Sequence, residues 1–466
     1  MRRKFLTIKE KINYIILSIL IVVLVLISIK SFFTNSPEVV KEPKIQKTSP
    51  QKETLVHTPE QFGANGFDNE PDTEAIQKAI NSGNTVILKS GATYIIDETL
   101  KSSHSINIKT DHSEKAKIVQ KKNKSALIVD NQPVVETYVT KQILTNQSFV
   151  VLANTKGIKP GYLLHLKSSK LWYWDDRGYL KKGELHKVIK VEGKKVYLDR
   201  PIVENYKVGK EERVSASIYP NISLQLENIT FTHPKPLKTI MLKINYTMNT
   251  NIENVIVKNS KRIGILLDTT YQTFVKKVFI DLGTTKDISS GYGIQDYGGT
   301  ETLITDSVFK RIRRGVDFSG GTPSRYGIVR NSRAYGNKKG ELASGNSGFG
   351  THSTAEYITF ENNYVENFNY GFLVRGRNIT VKENILKGYS ISFIAITYGN
   401  NVKVLKNTYH SINNSSLEMF ILFLKTYKGT IDVQGNVVNS LKGPFIKGDI
   451  GQLESLILRK NTIQSK

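Results

Sequence analysis

From Ile222 onward, short strands recur, each running into a polar corner residue. Leu224-Gln225-Leu226-Glu227-Asn228 is the first and Ile252-Glu253-Asn254 the next; Asp306, Asn331, Asn363, Asn384, Asn407, Asn436 and Asn461 follow at similar offsets. Successive positions lie about 21 to 32 residues apart, except that Asn254 to Asp306 spans two coils, and a period of this size marks a stacked repeat. The unit is clearest in Ile379-Thr380-Val381-Lys382-Glu383-Asn384 and Val402-Lys403-Val404-Leu405-Lys406-Asn407, where an alternating strand ends in Asn. The fixed leucines of a leucine-rich repeat are missing, and no useful helix-period segment separates the strands, which disfavours a β/α barrel. The expected fold is all-β, a right-handed parallel β-helix. Its Asn series would form a ladder of amides satisfying buried corner backbone groups.

The N-terminal region has a different character. Ile12 to Ile29 carries no charge and is dense in Ile, Leu and Val. As a helix it would span about 27 Å, close to the hydrocarbon thickness of a bilayer. Arg2, Arg3, Lys4, Lys9 and Lys11 precede it, which places the N-terminus in the cytoplasm. A cleaved signal peptide is the competing reading; the length of the run and the lack of a small-x-small site favour an uncleaved anchor. The expected organisation is a cytoplasmic tail at 1–11, a transmembrane anchor at 12–33, a disordered linker at 34–56 and an extracytoplasmic β-helix at 57–466. The linker is rich in Pro, Lys, Glu, Ser and Thr.

The β-helix region opens on Phe62-Gly63-Ala64-Asn65-Gly66. A short helix follows, expected from Asp72 as its cap with Ala75, Ile76, Ala79 and Ile80 as its buried stripe, and then Gly91-Ala92-Thr93-Tyr94. This order resembles the N-terminal cap of the pectate-lyase-like superfamily, in its rhamnogalacturonase- and epimerase-like branch. The resemblance implies a helix shielding the open end of the strand stack. From 134 to 215 the rhythm changes to longer hairpins, read as a small antiparallel β insertion. It contains both tryptophans, Trp172 and Trp174, which serve either as a sugar-stacking platform or as the core of the insertion.

Three segments between Asp306 and Arg377 read alike: Gly315-Val316-Asp317-Phe318-Ser319, Gly348-Phe349-Gly350-Thr351-His352 and Gly371-Phe372-Leu373-Val374-Arg375. With the residue after each glycine inward (Ile265, Ile294, Val316, Phe349, Phe372 and, after Ser392, Phe393), alternation sends Asp317, His352, Arg375 and Tyr297 outward. His352 and Arg375 then share one column, with Asp317 a coil below His352 in the next column and Tyr297 two coils below. Ile394 and Ile396 close the strip above as outward residues. The stretch loosely resembles the mannuronan C5-epimerases: Gly350-Thr351-His352-Ser353 stands where they carry Asp-Pro-His-Asp, and Gly371 to Arg375 resembles their following strand. The resemblance implies that His352 is a general base and Arg375 the neutraliser of a uronate carboxylate. Both flanking aspartates of that motif are absent, and Asp317 is the candidate to stand in for one.

A net charge of +25, from 66 Lys plus Arg against 41 Asp plus Glu, favours an anionic partner. Arg311, Arg314 and Arg325, among six arginines close in sequence, are candidate substrate-binding groups. There is no cysteine, which excludes disulfides and thiolate chemistry. No metal or other cofactor is expected, since carboxylates do not cluster on one strand set. Nucleic acid is disfavoured by the lack of a binding motif, and an oligomer is compatible with the chain. The expected function is modification of an acidic polysaccharide or cell-wall polymer by proton abstraction at uronate C5, as a lyase or epimerase. The alternatives are a glycoside hydrolase using Asp317 with Asp296 or Asp268, and a non-catalytic glycan-binding or cell-wall protein.

Overall fold

A computed structural model describes residues 55–173, 180–283, 290–336, 345–411, 418–425 and 427–464. The expected tail, anchor and linker at 1–54 lie outside them, except for the last residues before 57, as does Trp174. Among the described residues no helix is long and apolar enough to cross a membrane.

The chain winds as a parallel solenoid with three strands to a coil. Ile263–Asp268, Tyr292–Tyr297, Arg314–Ser319 and Ser347–Thr351 stack on the first face, continued by the first halves of Tyr370–Lys382 and Ser392–Leu405. Tyr271–Lys276 and Thr300–Thr305 belong to the second face, and Phe279–Asp281 and Val308–Lys310 to the third. Each strand sends alternate side chains into one continuous apolar core, with Ile265, Ile294, Val316, Phe349 and Phe372 all inside.

One column of the first face is built from glycines. A Cβ on Gly293 would lie 2.7 Å from the Phe309 ring, and one on Gly348 2.5 Å from a Val365 methyl, so bulky third-face side chains pack where these glycines leave room. The register corrects one expectation here. Tyr370 pairs with Ser392 and Phe372 with Ile394, so Phe393 takes the glycine position instead of the position after it. Phe393 stacks on Phe420, and Phe420 on Phe445, with ring centroids 4.9 Å apart in both pairs. Ile394 and Ile396 accordingly point into the core, and Ala395 takes the outward place above Leu373.

The corner residues divide into two ladders. Asn228, Asn254, Asp306 and Asn331 adopt the left-handed conformation, with φ of 62°, 55°, 53° and 51°. Asn363, Asn384, Asn407, Asn436 and Asn461 stand one place later. Their amides bond one to the next at 2.8–3.0 Å, and Asn363, Asn384, Asn407 and Asn436 are buried. Ser332 and Ser307 continue this buried position below Asn363: Ser332 N donates to Asn363 Oδ1 and Ser307 N to Ser332 Oγ. Asn tolerates left-handed geometry and also satisfies buried corner donors, so the same residue type fills both adjacent positions.

The helix at the N-terminal end spans Thr73–Ser82 and buries Ala75, Ile76, Ala79 and Ile80. Asp72 stands at its N-cap but makes no capping hydrogen bond; its carboxylate accepts from Asn65 N and Ile95 N, tying the entry turn to a strand. Between Val135 and Tyr219 a six-stranded antiparallel sheet projects from the solenoid with its own apolar core.

Candidate functional site

Arg314–Ser319 is followed in the stack by Ser347–Thr351, with Asp317 paired to Gly350 and Phe318 to Thr351. His352 therefore stands at the level of Ser319, one coil above Asp317 and in the neighbouring column. Gly350 offers no side chain between them, and a Cβ there would lie 2.8 Å from Leu373 O. His352 Nδ1 and Asp317 Oδ2 are 2.8 Å apart, while Asp317 Oδ1 accepts from Arg314 Nη1 at 2.5 Å. Asp317 is fully buried, Arg314 nearly so, and the His352 side chain is 19% exposed.

These contacts determine the protonation pattern. Burial opposes ionisation of Asp317, but His352 and Arg314 outweigh it and bring the carboxyl down to about 2. An ionised carboxylate only accepts hydrogen bonds, so Nδ1 of His352 must be the donor and Nε2 keeps a free lone pair when the ring is neutral. Burial pushes the imidazole below its ordinary value, opposed by Asp317 and reinforced by Arg314 and Arg375. The ring is thus held neutral near pH 7 with a basic nitrogen directed away from Asp317.

Arg375 belongs to the next coil in the His352 column. Its backbone is bolted to the histidine's coil: Arg375 N donates to Thr351 Oγ1 at 2.8 Å, and that hydroxyl donates to Arg375 O at 2.6 Å. Tyr297, 37% exposed, pairs in register with Ser319 and so lies two coils below His352, about 10 Å at the stacking distance of strands.

The inserted sheet runs along the corner beside this column. Lys181 N donates to Gly321 O, His165 Nε2 lies 3.2 Å from Thr322 Oγ1, and Tyr173 Oη donates to the carbonyls of Gly376 and Tyr398. The column of Tyr297, Ser319, His352 and Arg375 therefore runs beside the docked insertion, and the strip along it is the candidate groove.

The other candidate residues lie elsewhere. Arg325 is buried and clamps the insertion: its guanidinium reaches Glu356 Oε2 at 2.8 Å, Gly183 O at 2.6 Å and Glu204 Oε1 at 3.2 Å. Trp172 packs into the same junction, stacked on Tyr173 with its indole donating to Glu204, and presents no free platform. Arg311 makes a two-pronged pair with Asp281 at the end of the third face. Arg314 is a positioning group for Asp317, buried and without a surface to offer a substrate. Asp296 is buried, accepting from Ser324, Thr302 and Gly299, and burial raises its pKa. Asp268 is outward in the Tyr297 column, with a raised pKa caused first by burial. The pairing of Arg314 with Asp317 had a visible signal, since an i, i+3 Arg–Asp spacing stands in the sequence. Among the described residues no group of three or more His, Asp or Glu residues is placed to hold a metal.

The sequence profile described as "Right handed beta helix region" matches residues 240–409, which include the His352 coils. The fold is a right-handed parallel β-helix. The tailspike gp61 of Pseudomonas phage phi297 is 14% identical over 87% of this chain and 82% of that one, with a TM-score of 0.62. The gp54 tailspike of Acinetobacter baumannii bacteriophage AP22, solved with a capsular saccharide of that bacterium, is 13% identical over 88% and 75%, also at 0.62. The A-module of the Azotobacter vinelandii mannuronan C-5 epimerase AlgE6 is 14% identical over 88% and 94%, at 0.55. No curated relative matches the chain in sequence.

Proposed function

We propose that the protein modifies an acidic polysaccharide by taking the C5 proton of a uronate unit, as a lyase or a C5-epimerase. The observation that carries this reading is the Arg314–Asp317–His352 relay beside Arg375. A neutral imidazole with its Nε2 lone pair directed away from a buried carboxylate is a general base. A neighbouring guanidinium is suited to the substrate carboxylate, whose charge must be neutralised as the enolate-like state forms. Return of a proton to the opposite face gives epimerisation, with Tyr297 as a candidate acid of the groove. Loss of the C4 oxygen gives β-elimination. Saccharide-related proteins among the fold neighbours support the ligand class.

Hydrolysis is disfavoured by the carboxylates. Asp296 has no free face for a substrate, and Asp268 stands two coils below Asp317. That separation is about 10 Å along the axis alone, beyond the roughly 5 to 9.5 Å that the two hydrolytic mechanisms use. Residues 57–466 incubated with a panel of uronate polymers should give either new ultraviolet absorbance from an unsaturated uronate or altered uronate configuration by NMR. Arg375→Gln should lower that turnover by about 10²–10³-fold with an unchanged melting temperature. A panel in which no polymer is changed would remove the enzymatic reading and leave glycan binding.

The same reading places the domain outside the cytoplasm, anchored through 12–33. The full chain should then partition with membranes and resist extraction at high salt, whereas a chain starting at 57 should be recovered in the supernatant. Recovery of the full chain as a soluble species would reject the anchor.

A further inference from the structure

We infer that the groove carries a second saccharide subsite two coils beyond Arg375, in a cavity that includes Tyr398, Phe423, Lys425, Tyr427, Asp449 and Gln452. The cavity has a volume of about 360 Å³, within the range of small-molecule pockets and ample for one sugar ring. Its location follows from register. Val374 pairs with Ile396 and Ile396 with Phe423; a register shift between Val374 and Gly376 then sets Thr397 and Tyr398 together opposite Arg375, with Leu424 in the coil above. Leu424 N donates to Ile396 O at 3.0 Å, confirming that level. At about 4.8 Å per coil, the pocket lies about 10 Å from Arg375 along the groove, close to the advance of two extended pyranose units.

The lining has the chemistry of carbohydrate recognition. Tyr398, Phe423 and Tyr427 are buried, at 8%, 5% and 2% exposure, and form the inner wall of the cavity, which leaves recognition to its polar rim. Asp449 and Gln452 are exposed carboxylate and amide groups for hydroxyls. The Lys425 ammonium, 5.6 Å from the centre of the Tyr398 ring, is a cation within reach of a uronate carboxylate. Tyr398 is held in place from the other side. Its backbone is left-handed, with φ of 53°, and its carbonyl accepts from Tyr173 of the insertion at 2.6 Å. The insertion and the distal pocket are thereby joined through one residue.

This inference rests on the acidic-glycan reading above. It predicts that affinity depends on oligomer length, because only an oligomer reaching from Arg375 to Lys425 occupies both places. The test titrates the chain with ladders of oligomannuronates and oligogalacturonates, from disaccharide to octasaccharide, by calorimetry. The wild type should bind long oligomers about tenfold more tightly than short ones. In Lys425→Ala/Gln452→Ala, which changes two exposed side chains, the long-to-short ratio should fall to about one, since a charge-assisted hydrogen bond is worth about a factor of ten or more. A wild type that binds oligomers without length dependence, or a double variant that keeps the ratio, overturns the subsite and leaves the proposed function standing. A wild type that binds no oligomer of either ladder overturns both.

Discussion

Asp317→Asn should reduce turnover of a uronate polymer by about 10²–10⁴-fold, the usual contribution of a positioned general base. The carboxylate holds Nδ1–H of His352 and keeps Nε2 free. An amide in its place can donate to Nδ1, which moves the ring proton to Nε2 and leaves no base facing the substrate. The pH profile adds a sign. Burial sets the imidazole below its ordinary value of 6.5, so turnover in the wild type should rise with pH through a midpoint below 6.5. Asp317 is the group that raises this pKa, so residual activity in the variant should have its acidic limb displaced to still lower pH. The substitution also strips Arg314 of its buried partner. Stability should fall, and Asp317→Asn/Arg314→Met should recover much of the melting temperature without recovering turnover. Wild-type turnover in the single variant would mean that His352 is not a base oriented by Asp317. In the wild type, Asp317 contributes about 2 kcal/mol above its unfolded pKa, lost as pH falls from 3.8 through about 2.

Repetition makes the solenoid legible in the sequence itself. A strand period of two on a coil period near 25 residues leaves few ways to bury the apolar set. The column geometry around His352 follows from the same alternation, because Gly315, Gly348 and Gly371 mark equivalent positions in three consecutive coils. The rule fails where the mark changes. Phe393 occupies the glycine place of its coil, and phasing from the residue after a glycine therefore slips by one. A slip of one exchanges inside for outside, which is why Ile394 and Ile396 belong to the core. The corner ladders fail differently. Asn331 and Asn363 look equivalent in sequence, yet one is left-handed and exposed and the next position is the buried one.

The arginines show a second limit. Arg311, Arg314 and Arg325 lie within fifteen residues of one another, and proximity in sequence suggested a shared groove. Those residues run from the end of the third face through the first face to the next corner, so their side chains diverge. Their partners differ as well: Asp281 for Arg311, Asp317 for Arg314 and Glu356 for Arg325. Two of these carboxylates are a coil or more away in sequence. Trp172 depended on an even longer relation, since the insertion's docking onto Gly376 and Tyr398 joins segments about 200 residues apart.

Arg325→Met should destabilise the protein by about 3–5 kcal/mol, the cost of removing one partner from a buried ion pair. Arg325 is 3% exposed and joins Glu356 of the solenoid to Gly183 and Glu204 of the insertion. Glu356 also accepts from Arg377 Nε at 2.5 Å, and Arg377 Nη2 reaches Glu204, so two carboxylates and two guanidinium groups form one network across the junction. Glu184 lies behind it, buried and accepting from Val203 N, Glu204 N, Tyr206 and His186. Methionine fills most of the volume but offers no donor to Glu356 or to Gly183 O. Local opening of the junction should precede unfolding of the solenoid, whose core is formed by other residues. Limited proteolysis should therefore cut first within 134–215, and hydrogen exchange should quicken at Lys181–Glu192 while the first-face strands stay protected. Because that sheet lies beside the candidate groove, binding of a uronate polymer should weaken more than the chemical step slows. Arg325→Met/Glu356→Leu removes both buried charges and should regain part of the lost stability. A single variant with wild-type melting and exchange would show that apolar packing, not this network, holds the insertion against the solenoid.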